Sequence, residues 1–414
     1  MHKKTEIRDG ISLVSEYIPY VHSVSLGIWV KSGSVSDGRE NMGMGHFVEH
    51  MLFKGTEKRS AYQIAREIDD VGGSLNAFTS KEYTNFYVKV LKEDVALGVD
   101  VLCDIFVNPT FPEDEIAKEK GVVIQEIKMV QDAPDDYIHD LSFQTMWGTH
   151  PLGYSILGDE ESVGSFTRDA IVDYRRRFHT RDNIIVGAVG NFSDEALAGM
   201  LADGLSRVPS GRPAEAAAPR FVSKTAVSER DIEQVHLVIG FGALPYTHPA
   251  RYSQLILNTV MGAGMSSRLF QEVREKRGLA YTIFSFLSPY KDAGALEIYA
   301  ATEPESLGEL LEVTTTELKK LKTDPLTDAE LASAKGQIKG NLLLSLESTD
   351  ARLGRLVKNE IYFGRRIDAD EIIAEIDRVT AKDVLAVADE IIDLGRTTAV
   401  FLGPITEADV PALG

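Results

Sequence analysis

His46, Glu49 and His50 stand in the stretch Gly45-His46-Phe47-Val48-Glu49-His50, which opens a segment of helical character. On a helix, side chains four residues apart lie one turn above each other on one face. Two imidazoles at that spacing can reach a single metal ion, and the glutamate beside them can hold a water. The plain alternative is a pair of surface histidines on an amphipathic helix. Histidine is scarce, with nine in 414 residues. A chance match to so short a pattern arises in roughly a few per cent of such chains.

Carboxylates follow downstream. Pro109 and Pro112 precede Glu113-Asp114-Glu115, an acidic first turn that predicts a long helix. Ile116, Val123, Ile127 and Val130 share one face of it, assigned to the core. Glu119 and Glu126, seven apart, share a second stripe about 10 Å apart along the axis. Such a stripe is ordinarily solvated. Here it borders and interrupts the mostly apolar run from Gly121 to Ile127. A carboxylate in those surroundings has a partner as a rule, and a metal is one candidate.

The elements that must carry these residues can be read in order. Val24, Leu26, Ile28 and Val30 alternate with small or polar residues and predict a half-buried strand. Glycines 33, 38, 43 and 45 make the approach to the motif. Ala61 to Val71 has helical periodicity and stops at Gly72-Gly73. The polar, β-prone segment Ser74 to Ser80 has the character of an edge strand, Tyr83 to Val90 alternates as a strand, and a helix from about Glu93 to Phe106 follows. A helix start at Phe166-Thr167-Arg168-Asp169 leads to a strand over Asn183 to Gly190.

A Pro/Ala/Gly-rich linker, 209–220, then divides a first half, 1–208, from a second, 221–414, in which the pattern recurs. Asn85 to Val90 with Leu97-Gly98 is echoed by Ala295 to Ala300 with Leu307-Gly308. Phe111 to Ala117 with Lys120-Gly121 is echoed by Leu326 to Ala332 with Lys335-Gly336. Echoes kept in order at similar spacing indicate a tandem duplication. The expected fold is α+β, two related halves, each an antiparallel-rich sheet with helices packed on it. The second half lacks the histidine motif, and Asn341 stands where Glu126 would be, so one metal site per chain is expected. Its most distinctive stretch, Ser266 to Tyr281, reads on spacing alone as a helix with cations near its end and a glycine stop.

Composition bounds the rest. A net charge of −19 argues against nucleic acid and anionic membranes as partners and favours basic peptides. The single cysteine, Cys103, rules out an internal disulfide, fits a reducing compartment, and falls on an apolar stripe, so it reads as core. There is no apolar signal-peptide core and no run of transmembrane length, so a cytoplasmic location is expected.

The residues quoted resemble the pitrilysin/insulinase-type zinc peptidases, whose H-x-x-E-H inverts the commoner H-E-x-x-H order. In particular, they resemble the roughly half-length members similar to mitochondrial processing peptidase subunits and their bacterial relatives. The likeness spans nearly the whole chain and includes Gly45 to Thr56, Gly72 to Thr84, Glu119 to Met129, and Arg274 to Tyr281. The resemblance implies that His46, His50 and Glu126 bind one Zn²⁺, that Glu49 is the general base, and that Glu119 is an essential supporting carboxylate but not a ligand. It implies that extended or unfolded peptides add as a strand to Asn76-Ala77-Phe78 and meet Arg274 and Tyr281. It implies a metalloendopeptidase whose chamber is formed by two chains, a homodimer since this chain carries both sets of residues. The alternatives are the catalytic subunit of a heterodimeric processing peptidase, or a non-catalytic assembly subunit. The long glycine-rich loop of the processing peptidase's regulatory subunit is reduced here to Met261-Gly262-Ala263-Gly264-Met265.

Overall fold

The computed structural model describes residues 2–213 and 217–411. The chain folds into two compact units. The first is built on a six-stranded sheet of β1 (His2–Arg8), β2 (Ile11–Tyr17), β3 (Ser23–Val30), β4 (Ser74–Thr79), β5 (Thr84–Leu91) and β6 (Ile184–Gly190). Their spatial order is β1-β2-β6-β3-β5-β4, and every pair is antiparallel except β2 with β6. The second is built on five strands: β7 (Lys224–Glu229), β8 (Val235–Ala243), β9 (Ala280–Pro289), β10 (Gly294–Thr302) and β11 (Thr398–Gly403). Their order is β7-β11-β8-β10-β9, antiparallel except β11 with β7. Strand for strand, β2-β6-β3-β5-β4 and β7-β11-β8-β10-β9 are the same arrangement with the single parallel pair in the same place. The duplication read from the sequence is thus a duplication of topology, with β1 added to the first copy.

The compact units do not coincide with the contiguous halves on either side of the linker. The first comprises Met1–Met129, Tyr154–Ala217 and Ser345–Arg366, and the second Val130–Gly153, Ala218–Leu344 and Ile367–Gly414. Each therefore contains one helix encoded in the other half. In the first unit, the helix Thr349–Phe363 packs Leu353, Leu356 and Val357 against Val14, Trp29, Ile185 and Val189. Gly187 on β6 lets it approach closely, since a Cβ there would lie 2.5 Å from Val357 Cγ2. In the second unit, the helix Pro134–Trp147 buries Ile138 among Val238, Tyr299, Val400 and Leu402. Of the linker, residues 214–216 lie outside the described residues.

This exchange corrects one strand. β3 was expected to be half-buried from its alternation, yet from Val24 to Val30 it is buried on both faces. The alternate positions Ser25 and Trp29 face the helix Thr349–Phe363, and the Ser25 hydroxyl lies 2.9 Å from that of Thr349. Polar residues on a strand mark a solvated face only when no helix from elsewhere in the chain covers it. The stretch Ser266 to Tyr281 keeps its glycine stop, with Gly278 at a positive φ of 65° before β9 begins at Ala280, but Phe270–Glu275 is a π-helix and not an α-helix.

The remaining elements hold the expected positions. The helix Ala61–Asp69 precedes Gly72 and Gly73, and β4 lies at the edge of its sheet, hydrogen-bonded to β5 alone among the described residues. Cys103 is buried, and burial pushes its thiol up to about 12, which removes it as a nucleophile at neutral pH. Among the described residues, no helix is long and apolar enough to cross a membrane.

Candidate metal centre

The histidine motif lies on the helix Met44–Leu52 of the first unit. Its N-terminus is fixed by Asp37, whose carboxylate accepts from the amides of Gly43 (3.1 Å) and Gly45 (3.2 Å) and from the Tyr174 hydroxyl (2.9 Å). A carboxylate suits the free N–H groups and positive end of a helix. Burial nevertheless pushes Asp37 up to about 7 against the pull of these donors. Gly43 enters the helix at φ 86°, and a Cβ there would stand 2.5 Å from the carbonyl oxygen of Leu157. Phe47, Val48, Met51 and Leu52 point into the main core, leaving His46, Glu49 and His50 on the functional face.

The helix Glu113–Asp132 brings its carboxylates to that face, with Ile116, Val123 and Ile127 buried beneath. His46 Nε2 and His50 Nε2 are 3.2 Å apart, and Glu126 Oε2 lies 3.8 Å from the first and 3.9 Å from the second. Donor atoms bound at about 2.0–2.1 Å in a tetrahedron sit about 3.4 Å apart. The imidazole pair is near that separation already. The carboxylate, on a side chain 41% exposed, needs to move by only about half an ångström. Among the described residues this is the one cluster of three such groups. The donor set, two neutral imidazoles and a carboxylate, suits Zn²⁺ and leaves a fourth position open.

Glu119 occupies the other side of His50. Its Oε1 accepts from His50 Nδ1 at 2.8 Å, and its Oε2 receives Lys54 Nζ at 2.6 Å. It lies across the ring from Nε2 and cannot share a metal bound there. The stripe read from the sequence holds, but its two carboxylates have different surroundings: Glu119 is 3% exposed and Glu126 is partly solvated. Burial works to raise Glu119's pKa, but the hydrogen bonds from His50 and Lys54 outweigh it and hold the group below the usual range.

The histidines differ too. Burial, reinforced by the neighbouring His50, pushes His46 down to about 3, so its imidazole is neutral and free to ligate. Burial also disfavours the charged form of His50, but the Glu119 hydrogen bond and the charges of Glu119, Glu49 and Glu126 prevail and raise it.

Glu49 is 8% exposed, and burial raises its pKa, opposed by a hydrogen bond from Thr79. Thr79 Oγ1 donates to Glu49 Oε2 at 2.6 Å. Thr79 is the last residue of β4, so the edge strand is tied directly to Glu49. Along β4 the side chains alternate between exposed and half-buried, and Phe78 is 42% exposed. The outer edge beyond Asn76, Ala77 and Phe78 pairs with no strand among the described residues.

The structure therefore brings His46, Glu49, His50, Glu119 and Glu126 together, with β4 at their side. Arg274 and Tyr281 belong to the second unit, where they meet each other. The Arg274 guanidinium stacks between the rings of Phe270 (4.7 Å) and Tyr281 (4.5 Å), and Tyr281 is 78% exposed. Sequence reasoning missed Lys54, Thr79, Asp37 and Tyr174. Asp37 carried a faint signal, an acidic residue ahead of a Gly-x-Gly helix start. The contacts of the others arise only on folding.

Two family profiles match the chain. The family profile described as "Insulinase (Peptidase family M16)" matches residues 12–160, and that of the "Peptidase M16 inactive domain" matches residues 165–338. The chain is 42% identical over 391 residues to the uncharacterized zinc protease YmxG of Bacillus subtilis, covering 94% of this chain and 96% of that one. It is 37% identical over 421 residues to the uncharacterized zinc protease SCO5738 of Streptomyces coelicolor, covering 99% and 91%. Among solved structures, a protease from Helicobacter pylori aligns with a TM-score of 0.90 at 22% identity, covering 98% of this chain and 99% of that one.

Proposed function

This chain belongs to the insulinase family of peptidases, M16, and from that membership we propose that it is a zinc-dependent endopeptidase acting on extended peptides. The observation that carries the reading is the convergence of His46 Nε2, His50 Nε2 and Glu126 Oε2 within 3.9 Å of one another, beside a buried glutamate. His46, His50 and Glu126 would hold the zinc, which would supply Lewis-acid chemistry, lowering the pKa of water towards 7 and polarising a peptide carbonyl. Glu49 takes the proton from the attacking water and passes it to the leaving amine. Thr79 keeps that carboxylate aimed through its 2.6 Å hydrogen bond. The free edge of β4 receives the substrate as an added strand, so main-chain hydrogen bonds set its register against Glu49.

Arg274 and Tyr281 are assigned to substrate contact, Tyr281 as a hydroxyl donor to the oxyanion. We further propose that the working chamber is built by two copies of the chain, since the metal set and the Arg274/Tyr281 pair lie on different units. The central experiment pairs elemental analysis with cleavage of a peptide library, with and without a chelator. His50→Ala is expected to lose most of its zinc, while Glu49→Gln keeps zinc and loses turnover. Full zinc occupancy in the His50→Ala protein would sink the ligand assignment.

A further inference from the structure

The buried carboxylate of Glu119 is held at both oxygens, and the second partner is the less expected one. Lys54 follows directly on Phe53, the C-cap of the motif helix, and reaches Glu119 Oε2 at 2.6 Å. Oε1 of the same carboxylate faces His50 Nδ1 at 2.8 Å. The Glu119 side chain is only 4% exposed, so water competes little for either oxygen.

An ammonium group carries three donors and no acceptor. Oε2 accepts from it, and the positive charge 2.6 Å away favours the ionised carboxylate, with both oxygens unprotonated, over the neutral acid. Oε1 is then an acceptor as well, and the hydrogen of the His50 ring must sit on Nδ1. In the neutral ring this leaves the Nε2 lone pair directed at His46 Nε2 and Glu126 Oε2. A carboxyl group or amide without a donor-only neighbour could reverse the chain, donating to Nδ1 and placing the ring hydrogen on Nε2, where it blocks coordination.

We infer that Lys54 is a positioning residue of the metal centre, a donor-only clamp that fixes the direction of the Lys54–Glu119–His50 hydrogen-bond chain and so the ligating tautomer of His50. The inference rests on the zinc reading of the preceding subsection, but one of its two readouts needs no metal.

The test uses the full-length chain stripped of metal, with zinc affinity measured by competition against a chromogenic chelator at pH 8. His50's ring nitrogens are followed in the metal-free protein by ¹⁵N-histidine NMR, assigned through His50→Ala. Lys54→Met should weaken zinc binding by about 10- to 100-fold, the range for loss of a partner behind a metal-bound histidine. Lys54→Arg should stay within threefold of the wild type.

Glu119→Gln gives the sharper result, and it serves if Lys54→Met does not fold. With Lys54 in place, the new amide must turn its oxygen to the ammonium and its NH₂ to His50, which moves the ring hydrogen to Nε2. Removing Lys54 from that variant frees the amide to turn round, so the double variant should regain several-fold in zinc affinity. A merely structural lysine would instead make the double variant worse. Equal zinc affinity in Lys54→Met and wild type would overturn the inference. So would weakened affinity with an unchanged His50 tautomer. A wild-type chain that binds no zinc would sink the metal reading instead, and the tautomer of His50 in Lys54→Met would still decide the role of Lys54.

Discussion

Replacing Thr79 with valine keeps the shape and branching of the side chain and the strand pairing of β4, and deletes the hydroxyl that donates to Glu49 at 2.6 Å. Burial raises the pKa of Glu49, and the Thr79 hydrogen bond is the first influence opposing it. A raised pKa means the proton is held to higher pH, and a general base works only after losing it. Without Thr79, the acid limb of kcat/KM should therefore move to higher pH. A hydrogen bond to a charged group is worth about 1.5–3 kcal/mol. At about 1.4 kcal/mol per factor of ten, Thr79→Val should lose about 10- to 150-fold on the acid limb. The assay is kcat/KM for one chromogenic peptide across the pH range, with zinc content verified for each variant. Convergence of the two profiles at high pH would identify the hydroxyl as setting the charge of Glu49. A constant deficit at all pH values would identify it as aiming the carboxylate. Superimposable profiles would refute the coupling of β4 to the base.

Three further outcomes are expected. A Tyr281→Phe chain and a Glu49→Gln chain, each nearly inactive, should complement when mixed under conditions of subunit exchange, reaching up to about half of normal activity in mixed dimers; mixed dimers seen by native mass spectrometry without recovered cleavage would contradict the two-chain site. Substrates must present an extended backbone to β4, so a cleavage sequence inside a folded protein should be cut far more slowly than the same sequence in an unstructured peptide; equal rates would contradict strand addition. Leu353→Ala, at a position 2% exposed, should cost about 2–5 kcal/mol, and hydrogen exchange should show the loss in β2, β3 and β6, with β8, β10 and β11 unaffected.

Much of the centre was legible because its chemistry is local in sequence. His46 and His50 are set on one face by helical spacing, and Glu119 and Glu126 share a stripe for the same reason. The edge position of β4 followed from a polar, β-prone run after a glycine pair, and the duplication from echoes kept in order. What escaped was what local pattern does not encode. Lys54 and Thr79 reach Glu119 and Glu49 only when two elements pack, and neither has a spacing that betrays its partner. The apolar face of Thr349–Phe363 announces that some sheet is covered, but not which one. Hence the alternation of β3 was read as a solvated face when Leu353 and Val357 stand over it. The π-helical turn at Phe270–Glu275 has the composition of an ordinary helix, so nothing in its sequence distinguishes it from one.

The exchange of helices also sets a timetable for synthesis. The last strand of the first sheet, β6, ends at Gly190, but the helix that covers that sheet ends at Phe363, about 170 residues later. At about 5–20 residues per second, the ribosome needs about nine to thirty-five seconds to supply it. For that interval the face bearing Val14, Trp29, Ile185 and Val189 is without its own cover. The nascent first unit is therefore a natural client for a chaperone, and a premature stop anywhere before residue 349 would leave it permanently unfinished.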